Sequence, residues 1–371
     1  MLRTRFRRAL VTAVVVPLLP VLAACASADK KSTASTGGAA ATAAASSGAA
    51  LAESPTLKLG YFANVTHAAA VVGASKEQPF FQKALGSTKL STQIYNAGPA
   101  AIEALTGGTI NAAFLGPNPA INGYVKAKGG LLRIVSGATS GGASLVVRAS
   151  ITSAAQLKGK KIADPQQGGT QDVALRYWLQ KQGFKVPVTG KGDVSILNLD
   201  NAATLDQFKL GRIDGAWVPE PWASRLVDAG AKTLVDEKTQ WPGGKFVTTH
   251  LVVSQDFLKK YPGSVKKLLQ GELAAEDWIT ANPDQAQTVV NDELKTLTGK
   301  ALKPAILASA FKGIGITMDP LASTLQEAAD HAVSVGLLKK PDLKGIYDLS
   351  LLNEVLKEAG KPAVDDAGLG V

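Results

Sequence analysis

Three histidines, His67, His250 and His331, and one cysteine, Cys25, are the only imidazoles and the only thiol in the 371 residues. The histidines share no close spacing, so the paired-histidine helix motif of zinc hydrolases is absent. One cysteine excludes an internal disulfide and any zinc site built on two or more thiolates, and no metal or cofactor is expected. Leu157-Lys158-Gly159-Lys160-Lys161 is a polar stretch and not a phosphate loop. Gly142-Ala143-Ser144-Leu145 lacks the closing glycine of a nucleophile elbow. A serine–histidine–aspartate set can be assembled from distant positions, and His67 would then be its base. The richer pattern lies in five turns that follow short apolar runs. They hold Asn64, Thr66 and His67; Gly116 and Asn118; Gly141 and Gly142 before Ala143; Gly169, Thr170, Gln171 and Asp172; and Pro219-Glu220-Pro221 after Trp217. Glycines let backbone N–H groups approach a ligand, and helix N-termini carry partial positive charge. Such a set suits a small anion held by neutral donors.

The elements that would position these turns alternate. Probable strands are 57–61, 91–95, 112–115, 131–136, 144–148, 161–163, 195–199, 215–218, 233–235 and 248–254, with amphipathic segments such as 100–105 and 173–179 between them. This alternation predicts an α/β fold of mostly parallel sheets with helices on both faces. Helix starts are marked by the Ser153–Gln156 capping box, by Thr170 and by Asn282-Pro283. Beyond Ser254 the chain reads as helical to about Gly360, a tail packed on one of two domains. Ligands of open α/β sheets bind beyond the carboxyl ends of strands, where these turns sit. An apolar fraction of 46% with 19% charged residues fits a globular body. The net charge of +10 includes four arginines within the first eight residues, and no block of five or six like charges follows. Nucleic acid is therefore not an expected partner.

Those arginines precede an apolar run, 9–22, that is interrupted by Pro17 and Pro20 and closes in Leu22-Ala23-Ala24-Cys25. A basic segment followed by a short apolar run is a secretory signal, too short to span a bilayer comfortably. The closing box resembles that of bacterial lipoproteins, which implies cleavage after residue 24 and diacylation of Cys25. Residues 25–54 then form a tether rich in Ala, Ser, Thr and Gly, with an r.m.s. reach of about 30 Å. The folded body is expected to begin near Pro55.

Five blocks carry a further resemblance. They are Leu57–Tyr61, Gly98–Leu105, Gly108–Gly116, Leu157–Ala163 and Gly211–Trp217. In order and spacing they resemble the solute-binding proteins of ABC importers, in the branch for nitrate, taurine and aliphatic sulfonates. The resemblance spans about residues 57–260 and implies a two-lobed periplasmic-binding-protein fold of type II. One lobe would take 55–143 plus 251–371 and the other 144–250, with a hinge near Ala143 and His250. It also implies hinge closure on a small anion and delivery to a membrane permease with a cytoplasmic ATPase, by a lipid-anchored monomer outside the membrane. The protein would not be an enzyme. The implied ligand contacts are Asn64, Thr66, His67, Gly116, Asn118, Gly141, Gly142, Ala143, Gly169, Thr170, Gln171, Trp217 and Glu220. Trp217 would lie against an alkyl chain and Glu220 would meet an ammonium, while Asp172 serves its own helix. The solute is expected to be an aliphatic sulfonate or taurine, with nitrate, bicarbonate or a pyrimidine thiamine precursor as alternatives. The reading from another class is a secreted α/β hydrolase or transferase using His67.

Overall fold

A computed structural model describes residues 50–189 and 192–371. The signal segment 1–24, the lipidation of Cys25 and the tether as far as residue 49 lie outside the described residues. The chain enters through β1 (Thr56–Phe62), β2 (Lys89–Tyr95), β3 (Ala112–Leu115) and β4 (Leu132–Gly141). It crosses at Gly142 into β5 (Ala143–Arg148), β6 (Lys161–Asp164), β7 (Ser195–Asn198), β8 (Gly215–Pro219) and β9 (Ala231–Asp236). It returns through β10 (Val247–Ser254) and adds a short edge, β11 (Ile314–Ile316), which the sequence reading did not contain. One sheet has the order β11-β4-β10-β3-β1-β2 and the other β7-β6-β8-β5-β9.

Each sheet has its own apolar interior, which is the physical basis of two lobes. On β5, Leu145 and Val147 face one cluster with Trp178 and Trp217, while Val146 faces another with Phe208 and Leu226. That period of two is the pleat of a strand covered on both faces. The sheets are mixed rather than mostly parallel: five of the nine strand pairings are antiparallel. Four of those five involve β5 or β10. These strands follow directly on a crossing, so each enters its sheet against the direction set by the strand–helix–strand units.

The helices follow the strands they cover. After β1 come α1 (Ala68–Gly73) and α2 (Phe80–Leu85), after β2 α3 (Gly98–Thr106), and after β3 α4 (Pro117–Lys126). In the second lobe α5 (Thr170–Lys181), α6 (Asn201–Lys209) and α7 (Trp222–Asp228) follow β6, β7 and β8. The tail supplies α8 (Gln255–Lys260), α9 (Pro262–Ala281), α10 (Pro283–Thr298), α11 (Pro304–Gly313), α12 (Leu325–Ser334) and α13 (Ser350–Glu358). Val265, Leu268, Leu269, Val289 and Leu352 join the first lobe's core, so most of the tail packs there. It also reaches the second lobe. Lys303 pairs with Asp228 at 2.8 Å, and the His331 ring stacks on Tyr177 with centroids 3.6 Å apart.

Two boundaries shift. Gly263 N–H donates to Ala52 C=O, Ser54 N–H to Ser264 Oγ, and Lys267 pairs with Glu53, so residues 52–54 are tied to the body, with Ala52 and Glu53 still exposed. The return crossing runs through 237–246, where Gly141 N–H donates to Phe246 C=O. His250 lies just beyond that crossing. It lies within β10 opposite Leu115 and Gly137, its Nε2 3.0 Å from Pro320 C=O.

Candidate functional site

Four helices begin at one crevice between the lobes: α3 after Ala97, α4 after Gly116, α5 after Gly169 and α6 after Asp200. The first three have no side-chain cap. Pro99 in α3 and Pro117 and Pro119 in α4 carry no N–H, so the first-turn donors left for another partner are those of Gly98, Ala100 and Asn118 and those of α5. At Gly98 the helix starts with a residue whose added Cβ would strike Pro119 of α4, which lets two helix ends stand side by side. The crevice holds about 450 Å³ of space together with the solvent it opens to, and among the described residues His67 is its only ionisable lining side chain.

Of the thirteen expected contacts, seven line this crevice: Asn64, Thr66, His67, Gly116, Gly169, Thr170 and Gln171. The lobes meet across it. Trp222 Nε1–H donates to Asn64 Oδ1 at 2.8 Å, Asn122 Nδ2–H to Gly168 C=O at 3.2 Å, and Thr66 N–H to Glu220 C=O at 3.4 Å. Thr170 Oγ1 is buried without a protein partner and stands over Gly116, a hydroxyl free for a ligand in the crevice.

His67 is buried, and desolvation pushes its pKa down to about 3, so it is neutral at ordinary pH. Phe62 N–H approaches its Nδ1 at 3.4 Å, which makes Nδ1 the acceptor and places the ring proton on Nε2. The imidazole is thus a neutral donor for an oxyanion. It is a poor general base, because the nitrogen able to take a proton already faces an N–H.

The other six expected contacts are elsewhere. Trp217 is 1% exposed inside the second lobe, where its Nε1–H donates to Glu237 Oε2 at 2.6 Å and its ring neighbours Trp178. It cannot meet an alkyl chain. Glu220 points away from the crevice to Ser224, accepting from its N–H at 3.1 Å and its hydroxyl at 3.0 Å. Burial raises its pKa, and each of its two oxygens already accepts from Ser224. Asn118 is buried with Nδ2–H donating to Ala328 C=O, which ties α4 to α12. Gly141 and Gly142 have φ of +74° and form the crossing itself; Gly142 C=O accepts from Glu220 N–H and Ala143 pairs with Pro219. Asp172 serves its own helix, accepting from Gly168 N–H and from Arg176 Nε–H at 2.6 Å.

Asn96, Gln166, Asn201, Thr248 and Thr249 also line the crevice. Asn96 and Asn201 follow β2 and β7, so the strand-end rule extended to those turns would have found them. The threonines lie within β10 and carry no such signal.

The chain matches the model of the NMT1-like family over residues 50–291. It is 25% identical over 310 residues to a binding protein of Brucella abortus (strain 2308), covering 80% of this chain and 92% of that one. It is 30% identical over 210 residues to the taurine-binding periplasmic protein of Escherichia coli (strain K12), covering 55% and 61%. Among solved structures it resembles the alkanesulfonate-binding protein SsuA of Xanthomonas axonopodis pv. citri. That match has a TM-score of 0.64 and 22% identity over 78% of this chain and 96% of the other. The periplasmic nitrate-binding protein NrtA of Synechocystis PCC 6803 gives a TM-score of 0.67 and 18% identity over 84% and 90%. At these identities the structural matches show the two-lobed fold.

Proposed function

This chain belongs to the NMT1-like family, and from that premise we propose that it is the extracytoplasmic solute-binding component of an ABC importer. It takes a small oxyanion, an aliphatic sulfonate before nitrate or bicarbonate, between its lobes and passes it to a membrane permease. The observation that carries this reading is the convergence of four helix N-termini, three of them without a side-chain cap, on one interlobe crevice whose lining holds no charged side chain among the described residues. Helix-end N–H groups and neutral hydroxyl, amide and imidazole donors suit an oxyanion that must later be released. A ligand touching both lobes binds the closed form better than the open one, so binding itself drives closure.

The test is calorimetric titration of the purified protein with ethanesulfonate, taurine and nitrate at pH 5.5 and pH 8, and with bicarbonate at pH 8. Saturable binding of an oxyanion without turnover is expected. Because His67 is neutral at both pH values, sulfonate affinity should agree within about twofold between them. A tenfold gain at pH 5.5 would mean a cationic His67 and a different electrostatic design. Silence across the panel would remove the assignment of these short oxyanions and leave the fold argument standing.

The hydrolase alternative fares worse. Among the described residues no serine or cysteine lines the crevice, and His67 is held as a donor. We further propose that Cys25 is diacylated and anchors the body to the outer membrane face. Cys25→Ala should then move the protein from the membrane fraction to the medium, and an unaltered partition would refute the anchor.

A further inference from the structure

Beyond the oxyanion crevice lies a second, roomier compartment of about 780 Å³, including the solvent it opens to. The two share Asn64, Asn96 and Asn201, so these three asparagines form the wall at which the compartments adjoin. Their linings differ in kind. The second is walled by Tyr95, Ile94, Trp222 and, from the tail helix α10, Leu297. Trp222 is held in place from two sides, by its bond to Asn64 and by the Arg225 guanidinium 4.2 Å from its ring centroid.

Two polar atoms here have no protein partner. Asn201, 6% exposed, has an unpaired Oδ1, and the hydroxyl of Tyr95 is buried unpaired. Buried acceptors without partners are uncommon in native proteins and call for one. The single carboxylate in the lining belongs to Asp200, one of whose oxygens caps α6 by accepting from Ala203 N–H at 2.8 Å. The linings therefore differ in polarity: the first offers N–H and O–H donors at the helix ends, and the second adds the Asp200 carboxylate, with the Asn201 carbonyl at the wall between them.

We propose that the solute is an organic anion longer than taurine that spans both compartments: its oxyanion at the helix N-termini, its apolar body between Tyr95, Trp222 and Leu297, and a terminal ammonium at Asn201 Oδ1 and Asp200. This rests on the oxyanion reading above and adds the far end of the ligand. The ammonium partner is Asp200 in place of Glu220, whose carboxylate is occupied by Ser224.

The test is a titration series on the purified protein with ω-aminoalkanesulfonates and plain alkanesulfonates of two to four carbons, with nitrate as the inorganic reference. Affinity should rise about fourfold with each methylene. The amino compound should exceed its plain counterpart by roughly tenfold. In Asp200→Asn the amino preference should collapse to about one, since asparagine caps a helix as well as aspartate and only the charge is lost. Ala202→Trp, at an exposed position facing the second compartment, should penalise four-carbon ligands more than two-carbon ones. Nitrate or taurine binding as tightly as the longer compounds, or an amino preference that survives Asp200→Asn, would overturn the proposal while leaving oxyanion capture intact. If no anion binds, oxyanion capture fails and the proposal falls with it.

Discussion

Replacing Gly116 with alanine should lower solute affinity by about ten- to a hundredfold with little effect on the melting temperature of the unliganded protein. Gly116 caps α4 in an extended conformation, φ −75° and ψ 166°, that any residue adopts, so no backbone strain enters. What alanine adds is a methyl group overlapping Thr170 Oγ1, 3.3 Å from Thr170 Cβ and 3.4 Å from Thr248 C=O. Thr170 belongs to the opposite lobe. The overlap therefore exists only while the lobes are closed, and the open molecule escapes it. Overpacking of a tight contact costs about 1–3 kcal/mol, and here that cost falls on the ligand-binding state alone. Thr170→Ala in the same chain should recover part of the loss, a coupling that a double-mutant cycle would isolate. Calorimetry gives the affinities, and a thermal melt without solute checks the fold. Unchanged affinity would mean that solute binds without this closure. A large drop in the unliganded melt would mean that the methyl group is felt in both states.

That prediction rests on a glycine picked out from sequence, and the reason it was legible is general. A turn after a strand in an α/β unit has few roles, and glycine beside small polar residues there leaves N–H groups exposed. The same rule placed Asn64, Thr66, His67, Thr170 and Gln171 at the crevice. It misplaced Trp217 because β8 is covered on both faces. With Ala216 and Val218 packed on one side and Trp217 on the other, no polar alternation marks which side a ligand could reach. Glu220 was misassigned for a different reason. Its partner Ser224 is four residues on, a purely local bond that competes with any ligand but leaves no trace in composition. Strand direction was also illegible, since β5 and β10 have the same composition whichever way they run. Their reversal comes from the crossings that precede them. Asn201 lines a compartment together with Leu297, nearly a hundred residues away, and only the assembled tail makes that visible.

The tryptophan taken from the ligand has a structural partner with an expected effect of its own. Glu237 is 1% exposed, and burial drives its pKa up to about 7; the indole N–H groups of Trp217 and Trp241 oppose that rise, and Asp236 adds to it. In the unfolded chain the same carboxyl titrates near 4.5. Between pH 4.5 and 7 the unfolded chain releases a proton that the native state still holds. Stability therefore falls as pH rises through that interval, by about 3 kcal/mol, and is level above it. Glu237→Gln keeps an amide oxygen to accept from Trp217 Nε1–H and removes the ionisation. The variant should be more stable than the parent by about 2–3 kcal/mol at pH 8, roughly 5 °C in melting temperature, and nearly equal to it at pH 5. The buried pair Glu272 and Glu276, whose pKa values are also raised by burial, adds a pH dependence of the same sign. It is common to both proteins and cancels in the difference. Thermal unfolding of parent and variant at the two pH values decides the matter. Equal stability at pH 8 would show that the carboxylate is satisfied in its ionised form. A variant weaker at both pH values would show that the Trp217 contact needs a carboxyl group rather than an amide.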